Sequence, residues 1–198
     1  MAAANGFSAI SPHIFSWQAY EPSVKCELSS SAIATPAGLV FVDPIPLADR
    51  WLRELLASGT PCAIVITNGN HARAAAEFRE RLAVKVFASE EAADSGFTPD
   101  EFIAEGDFTP GGMRVVGLPG AGPGEIALVG DGVICIGDAV IHLEPEGFGL
   151  LPAKYCSDAH QLRDSLRKLL SYQFDVMTFA HGVPLVGQAR HHLALLLE

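Results

Sequence analysis

The order of apolar runs predicts an α/β chain folded as a four-layer αββα sandwich, with residues 1–198 forming a single domain. Two observations carry this. Each half of the chain begins with β-type segments and then alternates strand with helix, which calls for two sheets, each covered on its outer face. No Ser/Gly-rich or highly charged stretch separates the halves, so nothing resembles a linker. With 198 residues, 49% of them hydrophobic, the chain can bury a substantial core.

In the first half, short β segments are expected at Ile14–Trp17, Cys26–Leu28 and Ser31–Thr35, the last closed by the turn Pro36-Ala37-Gly38. The run Gly38 to Asp43 reads as a strand that stops at Asp43, because a residue before proline is pushed out of the α region. Leu47 to Ser58 has helical spacing, with Trp51, Leu52, Leu55 and Leu56 on one face. Ala63–Thr67 reads as a buried strand, His71–Leu82 as a helix, and Val84–Ala88 as a strand followed by an acidic segment from Ser89 to Asp94.

The second half starts over with β. Strands are expected at Met113–Leu118, Glu125–Gly130 and Val133–Ile136, with Asp131-Gly132 as a hairpin signal between the last two. A helix from about Ser157 to Ser171 carries the stripe Leu162, Leu166, Leu169 and Leu170, capped by Ser157 or Asp158. A strand over Phe174–Ala180 and a last helix over Gly187–Leu197 finish the chain.

The formal net charge of −10 argues against a nucleic acid or an anionic membrane as partner. The first ten residues lack the basic and apolar regions of a secretory signal, and no run reaches the roughly 18 apolar residues of a membrane helix. A soluble, cytoplasmic protein is expected, and a homo-oligomer is compatible with these features. Cys26, Cys62, Cys135 and Cys156 show no C-x-x-C or C-x-x-H spacing, which excludes a zinc ribbon or a dithiol redox site.

Polar clusters stand at the strand ends: Asp43, the stretch Thr67-Asn68-Gly69-Asn70-His71-Ala72-Arg73, the loop Pro119 to Glu125, Gly137-Asp138, and Ala180-His181-Gly182. Loops converging at one edge of a layered α/β fold are the usual way to build a pocket. Each cluster also has a plainer reading: Asp43 can close a turn, Asn68 or Asn70 can cap a helix, and His181 can bond to backbone. The glycine-rich loop lacks the Gly-Lys-Ser/Thr ending and any basic residue, so it is not read as a phosphate loop. His191 and His192 have no partner one turn on and are expected at the surface.

In order and spacing, these clusters resemble the metallo-β-lactamase-fold hydrolases. The strand ending in Asp43 resembles that family's strand ending in aspartate, and Thr67 to Arg73 resembles its T-H-x-H-x-D-H signature. Pro119 to Glu125 resembles its P-G-H-T-P-G-S loop, Gly137-Asp138 its G-D pair, and Ala180-His181-Gly182 its late G-H-G. The resemblance implies the αββα fold and a two-metal hydrolytic site, commonly of zinc, built from five histidines and two aspartates. Position by position, however, Asn68, Asn70, Ala72, Arg73 and Ala121 stand where that family has ligands. Only Asp138 and His181 keep theirs, and His71 falls on a spacer.

Stable zinc sites normally take three or four protein ligands, so two-metal catalysis is not expected. Arg73 is permanently cationic and cannot coordinate a metal; it is expected to pair with Asp138 in place of an ion. Two function classes follow. In the first, His71, Asp138 and His181 hold a single ion of zinc, manganese or iron, or His181 and Asp138 act without metal. The pocket is then completed by Asp43, Asn68, Asn70, Arg73 and Glu125, and the implied substrate is a small ester, thioester or lactone. In the second, the chain is a non-catalytic interaction module that binds a small anion.

Overall fold

The computed structural model of the chain describes residues 1–93 and 96–198. Asp94, the end of the expected acidic segment, lies outside the described residues. Seven strands form the first sheet: β1 (Ser8–Ser11), β2 (Ile14–Glu21), β3 (Cys26–Thr35), β4 (Gly38–Val42), β5 (Pro61–Val65), β6 (Val86–Ala88) and β7 (Glu101–Phe102). They lie in sequence order, antiparallel from β1 to β4 and parallel from β4 to β7. Helices α1 (Asp49–Leu56) and α2 (Ala75–Leu82) make the parallel crossovers, and a short α3 (Glu90–Ala93) follows β6.

The second sheet holds β8 (Arg114–Gly117), β9 (Ile126–Val129), β10 (Gly132–Ile136), β13 (Phe174–Phe179) and β14 (Leu185–Val186), in the order β14-β13-β10-β9-β8. Between β10 and β13 come a separate hairpin, β11 (Val140–Leu143) with β12 (Gly147–Leu150), and helix α4 (Ala159–Arg167). Helix α5 (Ala189–Leu196) ends the chain.

Strand alternation sorts the core into three apolar layers. On β4, Leu39 and Phe41 face α1 and α2, while Val40 and Val42 face the other sheet. On β10, Ile134 and Ile136 face α4 and α5, while Val133 and Cys135 meet Val40, Val65 and Leu128 between the sheets. The four layers are therefore helices, sheet, sheet, helices, as expected. In the first helical layer Phe78 stacks on Trp17, with ring centroids 6.2 Å apart, and meets Phe41 edge-on at 5.6 Å. Among the described residues no helix is long and apolar enough to cross a membrane.

Three boundaries differ from expectation for physical reasons. The segments at Cys26–Leu28 and Ser31–Thr35 are one strand, because the serines between them are buried with their hydroxyls used. Ser29 Oγ donates to Gly182 O at 2.7 Å and Ser30 Oγ to Asp43 O at 2.6 Å. The helix expected from His71 begins only at Ala75. Residues Gly69–His71 form a single tight 3-10 turn, and Arg73 then takes a left-handed backbone conformation (φ 34°). The Ser157–Ser171 helix is α-helical only to Arg167 and finishes as a 3-10 turn over Lys168–Ser171.

Candidate metal centre

The ends of β4 and β5 on one sheet, and of β10 and β13 on the other, meet at one edge of the sandwich. Asp43 leaves β4 with a positive φ of 47°, a conformation uncommon outside glycine and held here by its contacts. Its N–H donates to Val65 O at 3.0 Å, and its Oδ1 accepts from Thr67 N at 2.8 Å. The strand end thus turns the Asp43 carboxylate inward, against the start of the next loop. Asn68 is the cap: its Oδ1 accepts from Asn70 N at 2.8 Å, and the 3-10 turn that follows carries His71 into the interior.

His71 is buried between two carboxylates. Its Nδ1 lies 3.0 Å from Asp43 Oδ2 and 3.1 Å from Thr67 Oγ1, and its Nε2 lies 3.2 Å from Asp138 Oδ1. The same Asp138 oxygen is 3.2 Å from His181 Nε2, and the two imidazole rings are 5.7 Å apart. His181 Nδ1 faces Glu27 O at 3.1 Å, with Cys26 Sγ at 3.4 Å. Burial and the Arg73 guanidinium work against a charged His71 ring. The Asp43 and Asp138 carboxylates outweigh them, and its pKa rises from 6.5 to about 9. Burial likewise disfavours an ionised Asp138, yet the His71 and His181 rings hold its carboxyl well below the usual carboxylate range.

The tautomers decide what these groups can bind. A carboxylate and a carbonyl oxygen only accept, so each histidine places its Nδ1 hydrogen on one of them. Both neutral rings then aim an Nε2 lone pair at a carboxylate oxygen. That arrangement is repulsive unless positive charge lies close by: a proton or a metal ion among the three atoms or, for His181, the Arg73 guanidinium 3.3 Å from its Nε2. The three ligand atoms lie within 4.8 Å of one another. Bonds of about 2.1 Å in tetrahedral array set ligand atoms about 3.4 Å apart, and the Asp43 and Glu27 O contacts behind the two rings are the outer supports that metal-bound histidines normally have. The residues present therefore fit one divalent ion.

They do not fit two. The Asn68 oxygen is committed to Asn70 N–H, so its amide hydrogens point at Glu125 Oε2 (2.6 Å) and Asp138 Oδ2 (3.1 Å). N–H groups occupy the space beside Asp138, and Ala121 on the glycine loop is buried without a donor atom. Glu125, whose orientation the sequence leaves open, is buried in this network. Burial first, and the Asp138 charge second, push its pKa up.

Arg73 corrects the expectation of an Arg73–Asp138 pair. Its guanidinium donates to Ser29 O at 2.9 Å and Ala180 O at 3.2 Å, and it lies 3.3 Å from His181 Nε2. Carbonyl groups on two strands attract it more closely than the carboxylate, which is already held by two rings and an amide. Asn70 sits exposed at the rim and contributes only its backbone N–H. Sequence reading missed Cys26 and the Glu27 carbonyl, which lie opposite His181; a cysteine at the start of a strand carries no signal of this. The cavities are lined elsewhere. One of about 870 Å³ lies behind the glycine loop and touches Glu125, and one of about 320 Å³ touches Arg73, but neither is lined by the ion ligands.

A family model described as the metallo-beta-lactamase superfamily matches residues 7–192. The chain belongs to that superfamily. Among solved structures, a metallo-beta-lactamase from Pontibacter korlensis is 18% identical, with a TM-score of 0.73 over 96% of this chain and 97% of its own. An archaeal metallo-beta-lactamase superfamily protein from Sulfolobus tokodaii is also 18% identical, with a TM-score of 0.64 over 86% and 80% of the two chains. A third structure, in a di-iron-bound form, is 22% identical, with a TM-score of 0.64 over 85% and 93%. At these identities the likeness shows the fold alone. No match was found among curated proteins. Within the superfamily this is a divergent member, whose described residues form a partial, three-residue ligand cluster suited to one divalent ion at most.

Proposed function

We propose that this single-domain chain (residues 1–198) is a metallo-β-lactamase-fold hydrolase reduced to a single-ion site, acting on a small ester, thioester or lactone. In this reading the family's ligand positions are eroded at Asn68, Asn70, Ala72, Arg73 and Ala121, and His71 has been recruited beside Asp138 and His181. The observation that carries it is the convergence of two imidazole lone pairs and one carboxylate oxygen on a common point, with each ring fixed from behind. A bound divalent ion would supply a water of lowered pKa and an electrophile for the substrate carbonyl.

The chain's own part is orientation. Asp43 fixes the His71 tautomer, Glu27 O fixes that of His181, and Asn68 braces the far oxygen of Asp138. Without an ion, His181, less deeply buried than His71, is the base available to a water, with Asp138 beside its Nε2. The anion-binding alternative draws less support, because Arg73 spends its donors on Ser29 O and Ala180 O.

Elemental analysis of protein purified without chelator, then incubated with zinc, manganese or iron(II), tests this. About one ion per chain, lost in His71→Ala, is expected, together with hydrolysis of at least one member of an ester, thioester and lactone panel. No ion under any condition would remove the single-ion reading.

A further inference from the structure

We infer that Glu125 is a positioning residue for the ion site: through the Asn68 amide and the Ala139 N–H, it holds Asp138 with Oδ1 turned toward His71 and His181. The inference rests on the single-ion reading above and assigns a role to Glu125, a buried carboxylate that reading leaves without one.

Three consecutive residues close around Glu125. Gly137 supplies the space: a Cβ there would lie 2.8 Å from Glu125 Oε1 and 2.4 Å from Thr67 Oγ1, so no side chain fits. Ala139 donates its N–H to Glu125 Oε1 at 3.0 Å. Asp138, between them, is reached through Asn68, whose amide nitrogen bonds both Glu125 Oε2 and Asp138 Oδ2. With its oxygen on Asn70 N–H, that amide cannot flip without setting an oxygen against two carboxylates. Asp138 is thereby gripped at its side chain and at the following peptide by one group. Its Oδ2 is spoken for, and Oδ1 is the atom left for the histidines. Outer supports of this kind typically change metal affinity by about 10- to 100-fold when removed.

Glutamine is the discriminating substitution, because it keeps the volume but has one acceptor oxygen for two N–H donors. Zinc affinity is measured by competition with a chromophoric chelator for wild type, Glu125→Gln, Asn68→Ser and the double variant. Imidazole 1H–15N spectra are recorded for the zinc-free proteins, with melting temperature as the folding control. Asn68→Ser retains a cap for Asn70 N–H but removes the amide donors.

Each single variant is expected to weaken zinc binding by about 10- to 100-fold, and the double variant no more than the weaker single, since the two residues act in series. The His71 and His181 Nε2 resonances should also move in zinc-free Glu125→Gln. Wild-type affinity with unmoved resonances, or losses that multiply in the double variant, would overturn the assignment. Absence of zinc binding in the wild type would instead sink the single-ion reading. The zinc-free resonances then decide the Glu125 role alone: moved they support it, unmoved they overturn it. Should Glu125→Gln not fold, Asn68→Ser must show the same movement, and its absence counts against the assignment.

Discussion

His71 is held by Asp43 on one ring nitrogen and Asp138 on the other, so in the ion-free protein a proton serves where a metal would. The folded chain keeps that proton up to about pH 9, whereas an unperturbed histidine releases it near 6.5. The resulting stability is fully present below pH 6.5 and is lost as pH rises through about 9. Glu125, its carboxyl shifted upward from 4.5 to about 8, contributes in the same direction over a window that opens lower. The melting temperature of the ion-free protein is therefore expected to fall between pH 6.5 and 9, and His71→Gln should flatten that decline. Because metal displaces the same proton, zinc uptake in unbuffered solution at pH 7 should release acid, which a pH electrode reads directly. Arg73 is the other residue whose loss should be felt. Arg73→Met takes a charged donor from Ser29 O and from Ala180 O, leaving the latter only the Ser29 N–H, and should cost about 1–3 kcal/mol in urea denaturation.

At the scale of elements, the glycine loop and α4 meet at a close joint. Gly120 has φ +106°, and a Cβ there would lie 2.3 Å from Leu162 N and 2.5 Å from Asp158 O. These are backbone atoms of the helix start and cannot yield. Gly120→Ala should destabilise by at least about 2 kcal/mol, measured by chemical denaturation. Elements with strong periodicity, such as α4 with Leu162 and Leu166, were legible in the sequence because the buried stripe and the helical repeat coincide. The β11–β12 hairpin was not: Pro145, Gly147 and Gly149 dilute its alternation, and most of its residues are only half-buried. The edge strands β1, β7 and β14 were missed for a related reason. At two to four residues each, they are too short for a period to show.

At the scale of the molecule, the sequence showed which strand ends come together but not which atoms meet there. Asp43, Asp138 and His181 could be placed by order alone. The direction of His71 depends on a 3-10 turn and a left-handed Arg73, and that of Glu125 on the space left by Gly137; neither is written in residue type. The assembled site sets a limit for the whole chain: zinc in excess should saturate at one ion per chain, and a second tightly held ion would contradict the Asn68 geometry. Ion binding should also raise the melting temperature in proportion to the logarithm of zinc concentration.

The Arg73 side chain has one further consequence. It joins Ser29 on β3 to Ala180 at the end of β13, beside the backbone bond from Ser29 N to Ala180 O of 2.8 Å. A protein whose sheets are clasped by a metal depends on its surroundings for its shape. Here the clasp is part of the chain, which no chelator can withdraw. Under metal starvation the architecture would persist, with Ser29 and Ala180 still joined.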